Sequence, residues 1–170
     1  MNRKFELTEK KEVGGLTLFR IKAKIAFGNV AKGELGGWIE KEGNLSDSGD
    51  AWVSGDARVS GDAWVSGDAW VYGYAWVYGD AQVSGDAWVS GDAWVYGYAQ
   101  VSGDAWVSGD ARVYGYAWVY GYARVYGKLK LTSRLCSFYD FEFDWQVKLW
   151  HKKEEEFEAE VKRRLKKRTD

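Results

Sequence analysis

The stretch SGDAWVSGDAWVYGYAWVYGDAQVSGDA, Ser60 to Ala87, repeats a six-residue unit in which Gly, Ala and Val never change, while the residue between Ala and Val is Trp, Trp, Trp and then Gln. The unit extends in both directions: from Ala51 to Lys128 there are 13 consecutive copies of A-x-V-[SY]-G-[DYK] without an insertion. A period of six is too short for any helical repeat. In a strand, side chains alternate between faces, so Ala and Val, two apart, share one face and the residue between them points the other way. Gly supplies a backbone free to take positive φ, and the short carboxylate of Asp suits a turn. Each unit therefore reads as a short strand followed by a corner.

Rephased from Val, the unit V-[SY]-G-[DY]-A-[WRQ] resembles the hexapeptide repeat of left-handed parallel β-helices, with an aliphatic residue, two turn positions, a small inward residue and an outward one. The resemblance implies three units, hence 18 residues, per triangular coil. It departs from that family after the aliphatic residue, where Ser or Tyr replaces the usual small or acidic residue and adds bulk outside. The expected fold class is an all-β solenoid: a left-handed parallel β-helix with an N-terminal β-hairpin cap and a C-terminal β/α cap. The expected division is 1–43 for the N-terminal cap and lead-in, 44–127 for the repeats, and 128–170 for a strand and an amphipathic helix.

Folding the sequence at 18 sorts the outward positions into columns about 4.8 Å apart along the rod. The first face stacks Trp52, Trp70, Trp88 and Trp106, then Arg124. The second stacks Arg58, Trp76, Trp94 and Arg112 beside Ser60, Tyr78, Tyr96 and Tyr114. The third, largely polar, stacks Trp64, Gln82, Gln100 and Trp118 beside Ser66, Ser84 and Ser102. Asp50, Asp68, Asp86 and Asp104 fall on one edge, followed by Tyr122. Like charges that close repel, so either each Asp accepts amide bonds at its turn or the row forms an acidic edge for a basic partner or a cation. With only Ala and Val inside, stability must come from backbone ladders and stacked identical side chains.

The N-terminal block KFELTEKKEVGGLTLFRIKAK has the alternation of a β-hairpin around Glu-Val-Gly-Gly. After it, FGNV, LGGWIE and NLS leading into G-x-A-x-V repeats is similar to the lead-in of hexapeptide-repeat proteins common in bacteriophages and prophages. Beyond Gly127 the period breaks, and Val147, Trp150, Phe157, Val161 and Leu165 fall at helical spacing. That seam either caps the last coil or pairs with a copy of itself.

Net charge is −1 over 170 residues, but residues 44–127 carry ten acidic groups against three basic ones, while both ends are basic. An acidic rod argues against direct nucleic-acid binding along it, because phosphates would meet carboxylates. No run approaches the roughly 18 apolar residues of a membrane span, and the polar N-terminus does not read as a signal peptide. The expected location is the cytoplasm, of a bacterial host on the phage resemblance. Cys136, the single cysteine, makes no intrachain disulfide.

Chemistry is scarce. An acyltransferase of the β-helix type needs a general base, usually His, and the sole histidine, His151, lies outside the repeats. Three His ligands for zinc cannot come from one. No phosphate loop or Cys-x-x-Cys pair occurs, so no enzyme, cofactor or metal is expected. Exposed aromatic area usually marks an interface. Three readings stand: a phage-type protein that binds and inhibits a host defence protein, for example an anti-CRISPR acting through aromatic faces and carboxylates that imitate phosphates; a structural, self-associating β-helix module; and a glycan-binding rod. The expected partner surface comprises Trp76, Tyr78, Trp94, Tyr96, Tyr114, Arg58 and Arg112, with Trp70, Trp88, Trp106 and the Asp50, Asp68, Asp86 and Asp104 row.

Overall fold

The computed structural model describes residues 2–132 and the backbone of 134–136 and 140–141. The repeats form a parallel β-solenoid of about five turns. Each coil has three short strands, and strands 18 residues apart pair in parallel. Trp52 pairs with Trp70, Arg58 with Trp76, and Trp64 with Gln82, so the chain has three faces. Every Ala and Val of the repeat is buried, which is why the Ala-x-Val spacing sets the coil: two small inward residues fill a narrow triangle and leave the middle one outside. At each corner from Gly49 to Gly127 a glycine takes a φ of 65° to 73°, a region that side-chain-bearing residues avoid.

The amides of one coil donate to the carbonyls of the next, as Trp52 does to Ala69 at 3.0 Å and Trp70 to Ala87 at 2.9 Å. The carbonyls of the first coil therefore face the N-terminal end and need other donors. Strand β1 (Phe5–Val13) and strand β2 (Leu16–Ala23) form an antiparallel hairpin, and β2 pairs antiparallel with β3 (Leu35–Ile39). Strand β3 lies parallel to Arg58–Val59 and lengthens the second face, its Trp38 and Glu40 amides donating to Ala57 and Val59. On the third face the Asn44 side-chain amide donates to Gly61 and Ala63 at 3.0 and 2.8 Å. On the remaining side Lys4 Nζ donates to Ser46, Gly49 and Ala51 at 3.3, 3.0 and 2.6 Å. Two polar side chains thus stand in for a missing coil.

This end also corrects the expected ladder. Trp52, expected as the first exposed rung, is fully buried. The lead-in folds over it: Phe27 meets its indole edge-on at 5.4 Å, and Gly36 lies so close that a Cβ there would sit 2.7 Å from the ring. Here the core holds more than Ala and Val, since Phe5, Ile21, Ile39, Leu45 and Trp52 plug the first coil. At the other end the ladders continue past residue 128. Leu129 and Leu131 occupy the inward places of Ala and Val, and pairing persists from Arg112 to Lys130, Trp118 to Arg134 and Arg124 to Asp140.

Candidate functional site

Parallel pairing places the expected partner-surface residues on two faces and one corner. On the second face Trp76 stands beside Trp94, and Tyr78 beside Tyr96. Tyr78, Tyr96 and Tyr114 form a continuous stack, with centroids 4.9 and 5.0 Å apart and planes within 4°. Trp76 lies against Tyr78 at 4.8 Å and meets Trp94 edge-on at 5.6 Å. The guanidinium of Arg58 stands over Trp76 at 5.9 Å and that of Arg112 over Trp94 at 4.9 Å, closing the aromatic run at both ends. Burial, with the Tyr96 phenol beside it, pushes the Tyr78 hydroxyl above its ordinary pKa.

On the first face Trp70 stacks on Trp88 at 6.4 Å, Trp88 meets Trp106 at 6.0 Å, and Arg124 stands over Trp106 at 5.7 Å. Trp88 and Trp106 are exposed and Trp70 is half-buried. The two faces therefore follow one rule. Aromatic residues stack along the rod and an arginine ends the run.

A second rule links the columns diagonally. Trp76, Trp106 and Trp118 donate their indole N–H to Ser60, Ser90 and Ser102, each sixteen residues earlier, at 3.1, 3.3 and 3.3 Å. Where that earlier residue is tyrosine the contact becomes edge-to-face: Tyr72 with Trp88 at 5.9 Å, and Tyr78 with Trp94 at 6.2 Å. At Trp76, Trp88, Trp94, Trp106 and Trp118 the Ser or Tyr after the inward Val is thus the partner of the indole one coil on. The signal was present as Ser or Tyr sixteen places before Trp, but columns taken singly do not reveal it.

Along the acidic edge Asp68 accepts the Asp50 backbone amide of the preceding coil at 2.9 Å. Asp68, Asp86 and Asp104 are exposed and Asp50 is half-buried. Trp70 and Trp88 with Asp50, Asp68 and Asp86 line a groove of about 280 Å³, at whose Asp50 end lie Gly28 and Asn29. Close to that end Lys4 has a pKa lowered to about 8, mainly by burial and partly restored by Asp50, Asp68 and Asp47. Its ammonium also stands over the Phe27 ring at 4.5 Å. On another corner Lys41 and Asp62 form an exposed ion pair at 2.6 Å, which raises the lysine pKa and lowers that of the carboxylate. Among the described residues no three His, Cys, Asp or Glu side chains lie close enough to hold a metal ion, and no helix is long and apolar enough to cross a membrane.

Inward Ala and Val, corner glycines and strands in register 18 residues apart decide the architecture. The chain is a parallel β-solenoid. The YdcK beta solenoid repeat family matches it over residues 51–67, 81–97, 99–115 and 105–121. No curated protein matches the chain. The seam Val147, Trp150, Phe157, Val161 and Leu165, together with His151 and the Cys136 thiol, lies outside the described residues.

Proposed function

We propose that this chain is a structural β-solenoid module without catalytic activity, a rigid rod whose aromatic columns reinforce it from outside. The carrying observation is the mutual engagement of those side chains between coils. The Tyr78, Tyr96 and Tyr114 stack, the Trp76 and Trp94 pair and the indole-to-serine bonds span successive turns. A core of Ala and Val buries little apolar area per residue, and the external stack supplies contact that the core lacks. The match to a β-solenoid repeat supports the same reading. Replacing Trp76, Trp94 and Tyr96 together by Ser tests it. A structural role predicts a melting temperature lower by about 10 °C or more, since aromatic pairs are each worth about 0.5–1.5 kcal/mol beyond burial. An unchanged melting curve rejects it.

A second reading, binding of a host protein by a phage-type inhibitor, draws on the first-face groove, where two indoles lie beside three carboxylates. Those are groups that a basic side chain of a partner engages. Loss of partner capture in Asp68→Asn with Asp86→Asn, at unchanged melting temperature, is the outcome that separates this reading from the structural one.

A further inference from the structure

The third face is arranged as its own mirror along the rod. Its outward column reads Trp64, Gln82, Gln100, Trp118, and all four side chains are exposed, the two indoles by 47% and 37%. A two-fold axis crossing the face between Gln82 and Gln100 sets Trp64 against Trp118 of a second copy and Gln82 against Gln100. The corner beside it reads Asp62, Asp80, Tyr98, Tyr116. The same rotation opposes its two carboxylates to the two phenols of the other copy, acceptor to donor. Tyr98 and Tyr116 are 55% and 79% exposed and already stacked at 5.2 Å, so their hydroxyls are presented in a row.

An isologous interface requires that residue i meet residue j and residue j meet residue i. The third face meets that requirement with unlike partners. The second face is also symmetric end to end, but there the same operation opposes Arg58 to Arg112 and Asp56 to Asp110, like charges in both cases. On the third face one such clash remains, Asp86 with Asp104, on the far corner. Two further features favour a second copy as occupant. Both rods have the same coil rise, so rows stay in register over the whole contact. Beside Trp64 lies a groove of about 370 Å³ whose walls include Glu42 and Asp47, and the rotation brings Trp118 of the second copy to its rim.

We infer that the third face pairs with the third face of a second copy, the two rods antiparallel. The inference rests on the structural reading above and adds its mode of association. The four symmetric strands, about 4.8 Å apart, give a contact only roughly 20 Å long. The area buried is therefore at or below the lower end of stable interfaces, about 1,200 Å², and the dimer dissociates on dilution.

Sedimentation velocity of the full chain across micromolar concentrations tests this with three variants. Arg occupies the equivalent repeat position in Arg58, Arg112 and Arg124, so the fold tolerates it at 82 and 100. The double variant Gln82→Arg with Gln100→Arg puts like charges on both sides of the axis and is expected to weaken dimerisation at least tenfold. Gln82→Arg with Gln100→Glu restores dimers, because only an antiparallel pair brings the new Arg against the new Glu. Trp88→Arg with Trp106→Arg, on the first face, leaves dimerisation unchanged. A monomer at every concentration overturns the inference, as does a dimer indifferent to the first variant. A monomer whose melting temperature still falls on removal of Trp76, Trp94 and Tyr96 leaves the structural reading standing and removes only the dimer.

Discussion

The rings of Tyr78 and Tyr96 lie parallel to within 1° with their centroids 4.9 Å apart, one on each of two successive coils. That separation is the strand spacing of a β-sheet, so the backbone register alone brings the phenols into stacking distance. Tyr96 has a second stacked neighbour in Tyr114. Tyr96→Ser is therefore expected to remove two ring pairs and cost about 1–3 kcal/mol, read as a fall in melting temperature. Tyr114→Ser should cost about half as much if only the Tyr96 stack counts.

The indole-to-serine bonds predict a different pattern. Ser60 is buried and accepts from Trp76. Ser60→Ala leaves that N–H without its acceptor and is expected to destabilise by about 1 kcal/mol. Ser84, sixteen residues before Gln100, faces no indole, and Ser84→Ala should change stability by less than about 0.5 kcal/mol. Equal effects at the two serines would show that the bond contributes nothing.

Corner glycines carry the closest backbone approach. A Cβ on Gly85 would lie 2.9 Å from the Gly103 amide nitrogen, at a φ of +68°. Both the clash and the left-handed backbone oppose a side chain. Gly85→Ala should cost at least about 2 kcal/mol and lower the denaturant midpoint. Gly43→Ala, where a Cβ meets nothing within 4 Å and φ is not positive, should be nearly silent.

The parts of this structure legible in the sequence are those fixed by period. Ala and Val at spacing two dictate the inward face, and a six-residue unit taken three at a time dictates the columns, so the neighbours of Trp76 or Asp68 follow from counting. Two things did not follow. The burial of Trp52 depends on Phe27 and Gly36, which lie outside the repeat and reach it only through the fold of the lead-in. The role of the residue after Val depends on a diagonal contact between columns, visible only once Ser60 and Trp76 are placed in three dimensions. Leu129 and Leu131 were a readable signal, because they keep the inward alternation after Ala and Val cease.

Lys4 at the N-terminal end yields a pH dependence. Its ammonium is held by three carbonyls of the first coil, yet burial lowers its pKa from 10.5 to about 8. Between those values the unfolded chain binds a proton that the folded chain has released, so stability rises with pH through that window and is lost as pH falls through about 8. Tyr78 acts in the opposite sense only above its ordinary value of 10.0, because its hydroxyl is pushed up in the folded state. The window from about pH 7.5 to 9.5 lies below the tyrosine, and within it Lys11, whose pKa burial also lowers, acts in the same sense as Lys4. Urea midpoints in that range should climb for the native sequence. In Lys4→Met the climb should be smaller, and the midpoints lower at every pH by an amount equivalent to about 1–3 kcal/mol, because the Gly49 and Ala51 carbonyls lose their donor. A flat native profile would mean that the ammonium gains as much from those carbonyls and from Asp50 as it loses by leaving water.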